Sequence, residues 1–390
     1  MNEIRRVCLS EISELITKGT TPTTIGYEFQ ESGINFIKIE CFDENGMFID
    51  SKVAHISEEC NKQLRRSQLK AGDILFSIAG AIGRVSIVTE EMLPANTNQA
   101  LAIIRITRDD VYLPYVKLIL TSPLIKAQFE HKKQGVAQLN ISLKDINELE
   151  IPLPGIQQQI ALSELFDKVN RVISIRQRQL RALDTLIKAR FVEMFGDPVR
   201  NPFGLPVKKL SELGSLDRGR SQHRPRNAPE LLGGLYPLIQ TSEVASADLY
   251  ITEYHNTYSE IGLKQSKMWK AGTLCITIAA NIAQTAIMTF DACFPDSVVG
   301  FVPYNEVNAL YMHYWFGFFQ KILEEQAPQV AQKNINLKIL SDLNVIVPET
   351  RMLKQFESFV SQVDKLKTVL QAVLDKARVL FDSLMQEYFG

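Results

Sequence analysis

Lys70-Ala71-Gly72, followed by an apolar run ending Ile78-Ala79, returns as Lys270-Ala271-Gly272, followed by a run ending Ile278-Ala279. Working outward, Leu9-Ser10-Glu11 finds a counterpart in Leu210-Ser211-Glu212. Ala137-Gln138, Asn140-Ile141 and Leu143-Lys144 reappear as Ala331-Gln332, Asn334-Ile335 and Leu337-Lys338, and Glu193, Phe195 and Gly196 as Glu387, Phe389 and Gly390. The offset stays between 194 and 202 residues. That is far longer than a solenoid unit and matches a domain, so the chain reads as two copies of one plan.

Each copy has two textures. Residues 1–155 and 197–348 are mixed, with short apolar runs at Asp73–Ile78, Arg84–Val88, Leu101–Ile106 and Leu274–Ile278 that predict strands between Gly, Pro and Asn clusters. Tyr112–Phe129 and Ala309–Glu325 predict helices. Residues 156–196 and 349–390 are different: Gly and Pro are absent from Gln157 to Phe195 and from Glu349 to Phe389. Apolar residues there fall at three- and four-residue spacing. The first series is Leu162, Phe166, Val169, Ile173, Leu180, Leu183, Ile187 and Phe191, interrupted by Arg176. The second is Phe356, Phe359, Val363, Leu366, Leu370, Val373, Ala377, Leu380 and Leu384. A seam kept up for about four heptads predicts a coiled coil. Each helix would be a rod of roughly 57 Å at ~1.5 Å per residue. One small domain cannot cover so long a seam, so the two rods are expected to pair antiparallel, with the modules at opposite ends. The fold class expected is α+β: two similar mixed modules and two long helices in a pseudo-two-fold arrangement.

At 390 residues and 45% hydrophobic content, two cores can form. A net charge of −1 means that any anion-binding surface must be a local patch. Five scattered cysteines contain no Cys-x-x-Cys pair, so neither a disulfide framework nor a zinc site is expected. No apolar stretch follows the arginines of Met1–Ser10, and Ala309–Phe319 is far short of the ~20 residues of a membrane span. A cytoplasmic protein is expected.

Catalytic signatures are missing. The sequence has no Gly-x-x-x-x-Gly-Lys-Ser/Thr loop, no Gly-x-Ser-x-Gly elbow and no His-Glu-x-x-His helix, and its five histidines lack ligand spacing. Asn201-Pro202-Phe203-Gly204 lacks the second proline of an amino-methyltransferase loop and reads as a turn. No catalytic residue, metal or cofactor site is assigned. Candidate nucleic-acid contacts are more evident. Arg218, Arg220, His223, Arg224 and Arg226 carry no acid among them, and Pro225 and Pro229 place them on a loop. Guanidiniums there suit phosphate or guanine. The matching stretch of the first copy, with Lys18, Thr20 and Thr21, is hydroxyl-rich, so one frame carries two sets of polar groups. Lys38 corresponds to Gln240, and Arg84 beside Gly80 and Gly83 corresponds to the amides Asn281 and Gln284. Lys132 and Lys133 precede Gln138 and Asn140, and Lys333-Asn334 with Asn336 matches the latter stretch. Amides pair with adenine and Lys with phosphate or guanine.

With Lys18-Gly19-Thr20-Thr21-Pro22, Phe36-Ile37-Lys38, Leu69–Leu75 and Ile151-Pro152-Leu153-Pro154 ahead of Gln157-Gln158-Gln159-Ile160, the chain resembles the specificity subunit of type I restriction–modification systems. The likeness spans the whole chain, although Glu349–Phe356 keeps only one of the glutamines. The resemblance implies two target recognition domains, each reading half of a split sequence in double-stranded DNA. It also implies spacer helices that set the gap and dock two methyltransferase subunits, with restriction (translocase) subunits joining. S-adenosylmethionine, ATP and magnesium would belong to those partners, and this chain would be non-catalytic. Two other readings stay open: a stand-alone DNA-binding regulator, and a scaffold that binds something other than DNA.

Overall fold

The computed structural model describes residues 5–43, 46–130, 141–279, 282–326 and 335–390. The chain divides into two compact units, residues 1–177 with 372–390 and residues 178–371.

In the first unit, Arg5–Cys8 pairs antiparallel with Glu150–Leu153. A four-stranded antiparallel sheet runs in the order Leu15–Lys18, Leu101–Arg105, Ile74–Ser77, Val85–Ile87. A three-stranded sheet sets Ile34–Ile37 antiparallel to Ala54–Ile56 and parallel to Ala95–Thr97. Ile74, Leu75, Phe76 and Ser77 are all buried, which accounts for their continuous rather than alternating apolar pattern. The Lys-Ala-Gly turn ahead of them closes on Asp73, whose carboxylate accepts from the Lys70 amide at 2.8 Å. Arg105 then clamps Asp73 through two bonds of 2.7 Å. Asp73 is 1% exposed, so both its charge and its lone pairs need these partners.

The second unit repeats the plan strand for strand. Val207–Lys209 pairs with Asn344–Ile346. A larger sheet runs Gly214–Arg218, Val298–Pro303, Leu274–Thr277, Thr285–Met288, then Tyr250–Ile251. The smaller sheet runs Asn256–Tyr258, Leu232–Leu238, Ala292–Cys293, then Met268–Trp269. The last strand of each sheet is an addition to the first unit's pattern. The helical segments differ as well. Where Tyr112–Phe129 was expected to be one helix, Leu113–Leu120 ends at Thr121 and a new helix starts at Pro123, because proline has no N–H to continue the ladder. Without a proline there, Ala309–Gln326 stays whole.

The long helices are Ile156–Phe195 and Thr350–Phe389, each 40 residues. Gln159 explains the glutamine-rich start of the first. It is fully buried, accepts from the Tyr112 amide at 2.8 Å and donates to Pro154 O at 2.8 Å and Asp110 O at 3.0 Å. A repeated tyrosine fastens the strand before each helix: Tyr115 donates to Pro152 O at 3.0 Å, and Tyr311 to Ile346 O at 2.8 Å. In the first unit Phe166 packs on Phe381 and Phe389, with ring centroids 5.4 and 5.7 Å apart. In the second unit Phe356 meets Phe191 and Phe195, Arg190 lies over Phe359, and Asp184 pairs with Lys367 at 2.7 Å. As one residue number rises the other falls, so this pair is antiparallel.

The packing register corrects the expected seam of the second helix. Leu366 and Leu380 are 56% and 50% exposed, while Val360, Leu374 and Met385 are buried. The true seam passes through Lys367, which bridges Asp184 and Asp248, and a sequence reading that favours apolar residues slips to Leu366. Leu162, Phe166, Val169, Ile187, Phe356 and Val363 are buried as expected. Ile173, Leu180, Leu183, Leu370, Val373 and Leu384 are half-buried.

The four cysteines other than Cys8 are buried, and all five are free thiols. Among the described residues no helix is long and apolar enough to cross a membrane, and no group of His, Cys, Asp and Glu could hold a metal.

Burial pushes the His313 imidazole down from 6.5 to about 4, although Asp248 pulls the other way, and Nδ1 lies 3.0 Å from the Thr285 hydroxyl. The histidine is therefore neutral in the fold. An unfolded chain takes up the proton near pH 6.5, so stability is whole above that pH and falls as pH drops toward 4. The loss should be about 2 kcal/mol at pH 5. Denaturant melts at pH 7 and pH 5 should show a smaller drop in His313→Gln than in the parent; equal drops would contradict the assignment.

Candidate nucleic-acid interface

In each unit several loops converge at one end of the larger sheet. In the first, the chain leaves Leu15–Lys18 through Gly19, whose amide donates to Asn98 O at 3.2 Å. A Cβ at Gly19 would lie 1.8 Å from Thr97 O, so only glycine allows this approach. Thr97 in turn donates from its hydroxyl to Ile37 O at 2.7 Å, which brings Lys38 to the same place. The turn after Ile74–Ser77 joins them, because the Ile78 amide donates to Ala100 O at 2.9 Å. The second unit repeats these ties. Gly219 donates to Val298 O at 2.9 Å, and a Cβ there would lie 2.2 Å from Phe294 O. Ile239 donates to Cys293 O at 2.8 Å and thereby places Gln240, while Ile278 donates to Ser297 O at 3.1 Å.

The polar groups set on these two frames differ. In the first unit Lys18 and Thr20 are exposed and Thr21 is half-buried, its hydroxyl donating to Gln99 Oε1. Lys38 lies 3.2 Å from Glu40 and 5.0 Å from the centre of the Phe29 ring. Burial opposes ionisation of Glu40, but backbone amide and lysine contacts outweigh it and hold the carboxyl below its usual range. Arg84, expected to face nucleic acid, instead turns inward and donates to Phe42 O at 2.9 Å and Ile39 O at 3.4 Å. It braces the turn that follows Lys38.

In the second unit Arg218 and Arg220 are exposed and have no side-chain partner among the described residues. His223 stands 3.8 Å from Glu230. Arg224 donates to Ser221 O and His223 O, and both Arg224 and Arg226 reach Asp296, at 3.4 and 2.5 Å. Gln240 is exposed, and its backbone amide donates to Glu243. Gln284 is half-buried next to Thr277. Lys132, Lys133, Gln138, Asn140, Asn281, Lys333 and Asn334 lie outside the described residues.

Thus the described candidates of each unit gather at one end, Arg84 in a supporting position. Free guanidiniums, an ammonium and amides on loops can neutralise phosphates and address base edges. Sequence reasoning missed Gln99 and Asp296. The repeat itself carried the signal, since Gln99-Ala100-Leu101 aligns with Asp296-Ser297-Val298.

The model of the type I restriction modification DNA specificity domain matches residues 1–184 and 204–376. The type I restriction enzyme EcoBI specificity subunit of Escherichia coli is 33% identical over 131 residues, covering 33% of this chain and only 27% of that relative's length. The type I restriction enzyme MjaIX specificity subunit of Methanocaldococcus jannaschii is 21% identical over 94% of this chain and 91% of its own. Among solved structures, a chain from work on complex assembly and conformational transition of the type I R-M system aligns with TM-score 0.61 and 17% identity. It covers 99% of this chain and 97% of its own, a likeness of fold.

Gly219→Ala should destabilise the protein by about 1–3 kcal/mol, the cost of overpacking against backbone. Gly155→Ala, with open space around its Cβ, supplies the control. Denaturant midpoints check this, and equal stability of the two variants would contradict the close approach.

Proposed function

The chain belongs to the type I restriction–modification DNA specificity family, and from that premise we propose that it selects a split target in double-stranded DNA, each unit reading one half. Its part is recognition rather than catalysis, in keeping with the specificity subunits to which it is similar. One observation carries the two-part reading: matching strand orders hold different polar groups at equivalent places. Two identical readers would need identical loops. Here one unit offers Lys18, Thr20, Thr21 and Lys38, and the other Arg218, Arg220, Arg226 and Gln240.

Cationic groups at each site neutralise phosphates, which makes affinity fall steeply with salt, and base-edge contacts then discriminate. Two long helices of 40 residues set the gap between half-sites. Each is roughly 60 Å long at ~1.5 Å per residue, compared with ~34 Å per turn of DNA. The same helices dock the methyltransferase subunits, two of them in this proposal, and restriction subunits join through that assembly. Exposed apolar residues support the docking: Val172, Ile175, Val379 and Leu380 in the first unit, and Leu186, Val192, Leu366 and Val369 in the second. S-adenosylmethionine, ATP and magnesium are assigned to those partners.

Removing one heptad from both long helices shortens each by about 10 Å, so the tolerated gap should shrink by about three base pairs with both halves unchanged. Sequencing methylated sites in cells carrying the variant and its methyltransferase subunits tests this, and an unaltered gap refutes the spacer role. Replacing Leu366 and Val369 together by Asp should weaken co-purification of the methyltransferase subunits at least tenfold while leaving the fold intact by circular dichroism. Undiminished co-purification contradicts docking at that face.

A further inference from the structure

Gln99 and Asp296 occupy the same place in the two units, two residues ahead of the strands Leu101–Arg105 and Val298–Pro303. Each is gripped by the loop that leaves the first strand of its larger sheet through the closely packed Gly19 or Gly219. The grip differs in chemistry. Thr21 donates its hydroxyl to Gln99 Oε1, whereas Arg224 and Arg226 each place an Nη2 on a separate oxygen of Asp296.

The two arginines are not equivalent. Arg224 spends Nη1 on Ser221 O and His223 O and Nη2 on Asp296, so it ties the loop to itself and to the turn. Arg226 makes one bond, from Nη2 to Asp296 Oδ1 at 2.5 Å, and 46% of its side chain is exposed. Its Nε and Nη1 donors have no partner among the described residues. Surface ion pairs contribute little stability, so the value of this one lies in where it holds the guanidinium. Gln99 is likewise exposed, and engaging its oxygen leaves the amide NH2 unpartnered among the described residues.

We propose that this pair of equivalent positions determines specificity: Asp296 with Arg224 aims Arg226 at a guanine, and Gln99, oriented by Thr21, addresses an adenine in the other half-site. The proposal rests on the two-half reading above. It follows the bidentate matching of Arg to guanine O6 and N7 and of amides to adenine N6 and N7. Asp296 is thus a positioning residue, and its carboxylate also cancels one of the two positive charges beside the phosphates.

That charge gives a signature which a merely structural role would not produce. Asp296→Asn keeps the shape of the side chain but removes its negative charge, so overall affinity for duplex DNA should hold or rise while discrimination falls. The experiment uses the full chain together with its methyltransferase subunits. Methylated sites are sequenced in cells, and duplex binding by the purified complex is followed at several salt concentrations. For Asp296→Asn, preference at one guanine of one block should fall about tenfold, with the other block untouched. For Gln99→Leu, one adenine of the opposite block should be relaxed to a similar extent. The inference is overturned if either variant keeps full discrimination, if both relax the same block, or if Asp296→Asn weakens all duplexes uniformly. A parent complex that methylates no split motif would instead remove the functional reading. A parent with a split motif and unaltered variants would remove this inference alone.

Discussion

The structure depends on keeping two 40-residue helices buried along one face, because most of a helix's stability in a protein comes from packing its amphipathic face. Aromatic anchors meet that constraint in each unit. In the first, Phe166 closes on Phe381 and Phe389, and Tyr115 lies 6.1 Å from Phe389. In the second, Phe356 sits among Phe191, Phe195 and Tyr314, with Tyr311 stacked on Phe191. Each fully buried ring removes about 150–250 Å² from water, far more than the exposed ion pairs on the same helices contribute. The tyrosines add direction, because each hydroxyl ties the helix core to the strand that precedes a long helix.

The same logic separates frame from loop. Both units fix the frame with buried apolar strands, with a close glycine approach at Gly19 or Gly219, and with backbone ties to residues 97–100 or 293–298. None of these ties uses an exposed side chain. The polar groups that project from the frame are therefore free to differ, from hydroxyl and amide in one unit to guanidinium and carboxylate in the other. The proposed reading of two short sequences needs that independence, since changing a reader must not unsettle the support beneath it.

Much of this was legible in the residues. Identical words about 200 positions apart reveal a duplicated domain, and long stretches without Gly or Pro reveal the helices. What escaped follows from interactions that link distant residues. Lys367 lies in the packed seam because Asp184 and Asp248 neutralise it, which periodicity of apolar residues does not register. Arg84 faces backbone carbonyls more than forty residues away, so its adjacency to a glycine turn misled. Asp296 lies 70 residues beyond Arg226, and a stretch read as basic without acid is in fact held by one carboxylate. The break at Pro123 is visible in the sequence, yet the apolar spacing runs on through it into Pro123–Glu130 and so hides it from a reading of periodicity.

The central claim is that two alike units address two separate short sequences on one duplex. Single-molecule sequencing of methylated DNA from cells that carry this chain with its methyltransferase subunits, compared with cells that lack it, tests that claim most directly. The account predicts a motif of two defined blocks separated by a gap of fixed length and arbitrary sequence. A single continuous motif, or methylation indifferent to the presence of this chain, would contradict it.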